Sequence, residues 1–151
     1  MASPSVKLAV QNVWKTFRVR GKTEAQDRLL NVLGGVSFDV YDGEIVSLIG
    51  ESGCGKTVLL KCMIGLIRPT QGQMLFDGRN LMELSDRELA RQRVRFGFVF
   101  QNAALFDSMT VGQNVAFPLR QHRHLPEQEL QQMVLARLAE VGLPDSVVVK
   151  K

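Results

Sequence analysis

The sequence is poor in cysteine, in tryptophan and tyrosine, and in long hydrophobic runs. Its 151 residues include two cysteines, one tryptophan and one tyrosine. Two cysteines, Cys54 and Cys62, are too few for a disulfide framework, which excludes the small secreted domains that depend on one. No apolar run approaches the roughly 18 to 20 residues of a membrane-spanning helix. Because residues 1–5 lack the charged start and apolar stretch of a secretory signal, the sequence predicts a cytoplasmic protein.

The composition is that of a globular chain with one hydrophobic core. Hydrophobic residues make up 45% and charged residues 23% of a length that suits one domain. The net charge is +4, and the basic residues are scattered along the chain. No recognised nucleic-acid-binding motif accompanies them, which favours a solvated face near phosphates or a membrane over nucleic-acid binding.

The hydrophobic patterning predicts an α/β plan, in which strands precede and then alternate with helices. Two of the predicted strands, 45–49 and 97–100, are nearly continuous apolar runs of the kind expected when a strand is buried on both faces. Residues 18–28 are polar and basic and predict a loop. Capping boxes predict helix starts at Ser85 and Thr110, and Pro118 is predicted to end the second of these helices. The other predicted strands are 7–13, 36–41 and 73–76, and the other predicted helices are 56–66 and 126–141.

Residues 50–57 match the phosphate-binding pattern G-x-x-x-x-G-K-[ST] in full. The residues are Gly50, Glu51, Ser52, Gly53, Cys54, Gly55, Lys56 and Thr57. Glycines let the backbone curl so that successive N–H groups face phosphate oxygens, and the following helix adds its positive dipole end. Lys56 reaches the β- and γ-phosphates, and the Thr57 hydroxyl is a hard oxygen ligand for Mg²⁺. The pattern therefore predicts a site for Mg²⁺ and a nucleoside triphosphate.

Segments beyond this loop resemble the ATPases of ABC transporters. They are 66–72, 76–78, the Phe98-Val99-Phe100-Gln101 run and the following 102–119 segment. Within that superfamily, residues 103–111 and 115–120 look most like the ATPase of Mla-type phospholipid transporters, which work with an MCE-domain protein. Importers of amino acids or organic anions share much of the pattern. The resemblance implies a P-loop NTPase fold, present here over 1–151 as a single partial domain: an antiparallel β subdomain, part of a parallel core sheet and the start of a helical subdomain.

The resemblance also implies roles for single residues. Gln101 matches the glutamine that contacts Mg²⁺ and the attacking water, and Phe17 matches the aromatic that stacks on adenine, with Trp14 as the alternative. Val58, which follows the loop, is also expected to contact the nucleotide; many relatives have Thr there, and the difference is expected to have little effect on phosphate contacts. The implied partners are a membrane permease, which would contact residues 102–119, and a second copy of the ATPase. The implied location is the inner face of the cell membrane.

Other motifs of the family do not occur within these 151 residues. They are the L-S-G-G signature, the apolar strand that ends in Asp-Glu, and the switch histidine. Asp77 is followed by Gly78 and predicts a hairpin turn rather than a magnesium-binding strand end, while His122 and His124 lie in a basic loop where a solvated state is expected. These residues alone are therefore expected to bind nucleotide weakly and to hydrolyse it negligibly.

Overall fold

The computed structural model describes residues 5–21, 27–101, 104–122 and 125–151. The chain divides into two compact units, Met1–Gly97 and Phe98–Lys151, each with its own cluster of buried apolar side chains. Within the described ranges, no helix is long and apolar enough to cross a membrane. That residues 1–151 form a single partial domain stays a prediction.

The first unit is built on an antiparallel sheet of four strands. Two long strands, β1 (Val6–Val19) and β2 (Arg28–Tyr41), form a hairpin. The other edge of β1 pairs with β3 (Gln71–Phe76), which in turn pairs with the short β4 (Arg79–Asn80). The order across the sheet is β2-β1-β3-β4.

Both hairpin strands are longer than the sequence predicts. The alternation of apolar residues places strands at 7–13 and 36–41, and the structure confirms these central parts. Pairing then continues outward as far as Val19 opposite Arg28, so the ends of the predicted loop 18–28 belong to the sheet. Cross-strand hydrogen bonding extends each strand through residues 14–19 and 28–35, whose apolar side chains do not follow a regular alternation.

The core of the first unit lies between one face of this sheet and two helices. These are α1 (Lys56–Met63) and α2 (Asp86–Arg93). The capping box predicted at Ser85 is confirmed, since its hydroxyl accepts from the Glu88 N–H and the Glu88 carboxylate accepts from the Ser85 N–H. The buried core residues are Leu8, Val10, Val13, Leu33, Leu59, Cys62, Met74, Phe76, Leu81 and Leu89.

The second unit contains helices α3 (Val111–His122) and α4 (Glu127–Glu140), followed by a short 3₁₀ turn at Asp145–Val147. The capping box predicted at Thr110 is confirmed by reciprocal hydrogen bonds with Gln113. The core of this unit is formed by Ala116, Leu130, Val134 and Leu138.

Two predicted helix ends are wrong. Helix α3 continues through Pro118 to His122, because Leu119 packs against the core shared with α4 and holds the last turn in place. Helix α1 ends at Met63 rather than Leu66, because Gly65 adopts a left-handed φ of 68° that terminates the helix.

The two predicted buried strands, 45–49 and 97–100, are also wrong for the described residues. Neither segment pairs with a strand there, and the side chains of Ile45, Ile49 and Val99 are 94%, 95% and 91% exposed. A strand buried on both faces needs hydrogen-bonded neighbours and a cover on each face, and apolar composition alone supplies neither. The fold class is retained, but the first part of the parallel core sheet is absent from the described structure.

Candidate nucleotide-binding site

Residues 50–57 form a curled loop that leads directly into α1. Gly55 is the N-cap of this helix, with φ 99° and ψ 1°, a conformation that L side chains rarely adopt. A Cβ atom on Gly55 would lie 2.8 Å from the carbonyl oxygen of Val32 and 3.1 Å from the side chain of Leu33. The loop is therefore pressed against β2, and only glycine fits at this position.

The Lys56 ammonium lies inside the curl of the loop. Its Nζ atom donates to the carbonyl oxygens of Gly50 and Glu51, both at 2.7 Å, and lies 3.6 Å from the Cys54 sulfur. Two backbone acceptors thus turn the first side chain of α1 back over the loop. A compact positive charge held there is suited to the β- and γ-phosphates of a nucleotide.

The N-terminus of α1 has the features of an anion site. No side chain caps the helix, and its first turn contains no acidic residue. The N–H groups of the first turn have no partner within the helix, and the dipole of the helix adds partial positive charge at this end. Glu51, Ser52, Gly53 and Thr57 are exposed. Val58 is half-buried and packs against the core, so its predicted contact with nucleotide stays a prediction.

Phe17 and Trp14 have different neighbours on β1, whose pairing with β2 shifts register between Val13 and Trp14 and between Lys15 and Thr16. The Trp14 indole N–H donates to Asn12 Oδ1 at 3.0 Å, and its ring lies against Gly35 of β2. The Phe17 ring lies beside the ammonium of Lys15, and Lys15 is paired with the buried core residue Leu33. Phe17, and not Trp14, is therefore linked through Lys15 to the residue that lies beside the phosphate loop.

Lys15, one of the scattered basic residues of the sequence, lies beside Phe17. Its ammonium lies 4.9 Å from the centroid of the Phe17 ring and donates to the carbonyl oxygen of Arg68 at 2.7 Å. A two-residue spacing on a strand places the two side chains side by side, and this spacing is the signal that the sequence offered. On the neighbouring strand, Lys15 is paired with Leu33, the residue that contacts Gly55.

Gln101 is an exposed residue of the second unit and follows a segment that is not a strand. Its predicted contact with Mg²⁺ stays a prediction. In the predicted permease contact at 102–119, residues 102 and 103 lie outside the described residues. Residues 111–119 belong to α3, and the Asn114 amide holds residues 104–110 against it through hydrogen bonds with the Phe106 N–H and carbonyl.

Asp77 occupies the turn between β3 and β4, as predicted. Its carboxylate accepts from Lys7 at 2.9 Å and from the Arg95 guanidinium. These hydrogen bonds, first that of Lys7 and then that of Arg95, hold the pKa of the Asp77 carboxyl below its ordinary value. Both cations also lie over the Phe76 ring. Asp77 therefore anchors the hairpin. Of the two histidines, His122 is an exposed residue at the end of α3, and His124 lies outside the described residues.

The glycine-rich curl, the enclosed lysine and the uncapped helix are the features with which P-loop NTPases bind phosphate. The residues present fit a magnesium-bound triphosphate, since they combine an ammonium, unpaired amides and the Thr57 hydroxyl. Over residues 33–151 the sequence matches the family described as ABC transporter. The chain belongs to this family.

Similar proteins support the same assignment. The intermembrane phospholipid transport system ATP-binding protein MlaF of Haemophilus influenzae is 47% identical over 72% of this chain and 41% of its own length. The methionine import ATP-binding protein MetN of Mannheimia succiniciproducens is 40% identical over 91% of this chain and 38% of its own length. The chain thus spans about two fifths of the length of these relatives.

A solved structure has the same fold. The ATP-binding cassette MJ0796, a dimer bound to ADP and Pi, superposes with a TM-score of 0.81 at 30% identity. The match covers 95% of this chain and 61% of that chain. The ABC ATPase fold expected from the sequence is confirmed, and this chain corresponds to part of it.

Proposed function

We propose that residues 50–57 bind Mg·ATP and that this chain forms the front part of the ATP-binding subunit of an ABC transporter. The observation that carries the proposal is the Lys56 ammonium, held over the loop by the carbonyls of Gly50 and Glu51, at the uncapped start of α1. This arrangement presents a positive charge and free amides to the same small volume.

Three further residues complete the proposed site. Phe17 stacks on the adenine, since base–aromatic stacking needs only an exposed π-face. The Thr57 hydroxyl is a ligand of Mg²⁺, and Gln101 approaches the metal and the attacking water. The permease contacts residues 102–119, a second copy of the subunit completes each ATP site, and the assembly is peripheral on the inner face of the cell membrane.

The cargo that we propose is phospholipid, with an MCE-domain protein as a further partner. The similarity to MlaF, 47% identity, supports this choice. Import of an amino acid is the second candidate, because the similarity to MetN extends over 91% of the chain.

Calorimetric titration of the purified chain with Mg·ATP tests the nucleotide site. We expect Lys56→Ala to abolish measurable binding, while Lys61→Ala, which removes an equal charge from the last turn of the same helix, leaves it unchanged. Equal affinities of the wild type and Lys56→Ala would refute the proposed site. ATP turnover by the chain alone is expected to be negligible. A clear Lys56-dependent rate would contradict the proposal that a second copy of the subunit must complete the ATP site.

Chimeric ATPases test the cargo. Residues 33–151 would replace the corresponding residues of MlaF and, separately, of MetN. We expect the MlaF chimera to restore phospholipid transport and the MetN chimera to fail in methionine uptake, because residues 102–119 select the permease. The reverse pattern would favour the amino-acid importer.

A further inference from the structure

We propose that Lys15 is a positioning residue for the nucleobase, which it aligns through the ring of Phe17. The inference rests on the proposed ATP site. Lys15 and Phe17 are two residues apart on β1, and their side chains lie beside each other. The ammonium lies 4.9 Å from the ring centroid, within the range in which a cation over an aromatic face is attracted to it.

The ammonium is itself fixed by the backbone after α1. Lys15 Nζ donates to the Arg68 carbonyl oxygen at 2.7 Å. The segment that carries this carbonyl is bonded to β1, because the Thr70 N–H donates to the Trp14 carbonyl at 2.7 Å and the Thr16 N–H donates to the Thr70 hydroxyl at 3.0 Å. Lys15 thus joins the Phe17 ring to a segment that Thr70 bonds to β1 at the two residues flanking Lys15.

The base would stack on the face of the ring that the ammonium does not cover. The ammonium covers the other face, and Leu30 lies opposite Phe17 on β2 with its side chain 48% exposed. Phe17 and Leu30 together form an apolar surface against which a purine can stack. Because Lys15 restricts the ring before the base arrives, binding orders fewer side-chain rotamers.

The contacts of the Lys15 ammonium are with the ring and not with the phosphate loop. The ammonium lies over Phe17 and donates to the Arg68 carbonyl, whereas its cross-strand neighbour Leu33 is the residue that lies beside Gly55. This predicts that Lys15 affects the affinity for the base and not the affinity for the phosphates.

Titration with two ligands tests this role. Dissociation constants for Mg·ATP and for magnesium tripolyphosphate, which has phosphates but no base, would be measured from backbone amide shifts of the ¹⁵N-labelled chain. We expect Lys15→Met to weaken Mg·ATP binding by about three- to tenfold and tripolyphosphate binding by less than about twofold. Lys15→Arg, which keeps a cation and donors, should restore Mg·ATP binding.

A double-mutant cycle checks that Lys15 acts through the ring. In the Phe17→Ala background, Lys15→Met should cause no further loss of Mg·ATP affinity, because the ring that it positions is gone. Equal losses for both ligands would show that Lys15 acts on the phosphates, and additive losses in the cycle would show that it does not act through Phe17; either result overturns the inference. The proposed function fails separately, if the wild type and Lys56→Ala bind tripolyphosphate equally.

Discussion

Replacement of Gly55 by alanine gives the sharpest prediction for the phosphate loop. At φ 99° an L residue is strained, which costs about 1–2 kcal/mol. The added Cβ would also lie 2.8 Å from the Val32 carbonyl oxygen and 3.1 Å from two side-chain carbons, and forcing an atom into such a space costs about 1–3 kcal/mol. The sum predicts that Gly55→Ala lowers the free energy of unfolding by about 2–5 kcal/mol.

Gly53→Ala is the matched control for this change. Gly53 has a φ of 81°, but nothing lies within 4 Å of the position of its Cβ, so only the conformational cost of about 1–2 kcal/mol applies. Urea unfolding followed by the fluorescence of Trp14, the only tryptophan, measures both variants in the first unit. Equal destabilisation by the two substitutions would refute the close approach of the loop to β2.

Two further predictions concern the hairpin turn and the second unit. The pKa of Asp77 in the folded state is lowered below 3.8, so its contribution to stability is present above that pH and is lost as the pH falls through the folded pKa. The difference in free energy of unfolding between wild type and Asp77→Asn should therefore be largest at pH 7 and shrink below pH 3.8. A pH-independent difference would contradict the ion pairs. Gly112→Ala would place a Cβ 2.6 Å from the side chain of Val148 and should destabilise the second unit by about 1–3 kcal/mol. Urea unfolding followed by helical circular dichroism measures this loss. The loss should be smaller in a Val148→Ala background, and additive losses would contradict this packing.

The features that the sequence predicted correctly are those that depend on neighbouring residues. The loop at 50–57 and the helix that follows it are predicted by eight consecutive positions, and the Lys56 ammonium bonds to carbonyls within that stretch, while phosphate binding there stays a prediction. The capping boxes at Ser85 and Thr110 each join residues three apart in the chain. The hydrogen bonds that form such loops and capping boxes join residues close in the chain, so these motifs can be predicted before any tertiary contact is known.

The predictions that failed depend on partners far away in the chain. Residues 45–49 and 97–100 have the composition of buried strands, but a strand also requires hydrogen-bonded neighbours. Pro118 predicted a helix end, yet the packing of Leu119 against the core with α4 keeps the last turn helical. The bond from Lys15 to Arg68 spans 53 positions, and no local pattern indicates it.

The location of Mg·ATP on the chain tests the central claim most directly. Backbone amide shifts of the ¹⁵N-labelled chain would be mapped during titration with Mg·ATP. If the loop and the start of α1 hold the phosphates, the largest changes will occur at the amides of residues 53–57 and will disappear in Lys56→Ala. Large changes confined to residues elsewhere in the chain, or changes that survive in Lys56→Ala, would contradict a phosphate site at residues 50–57.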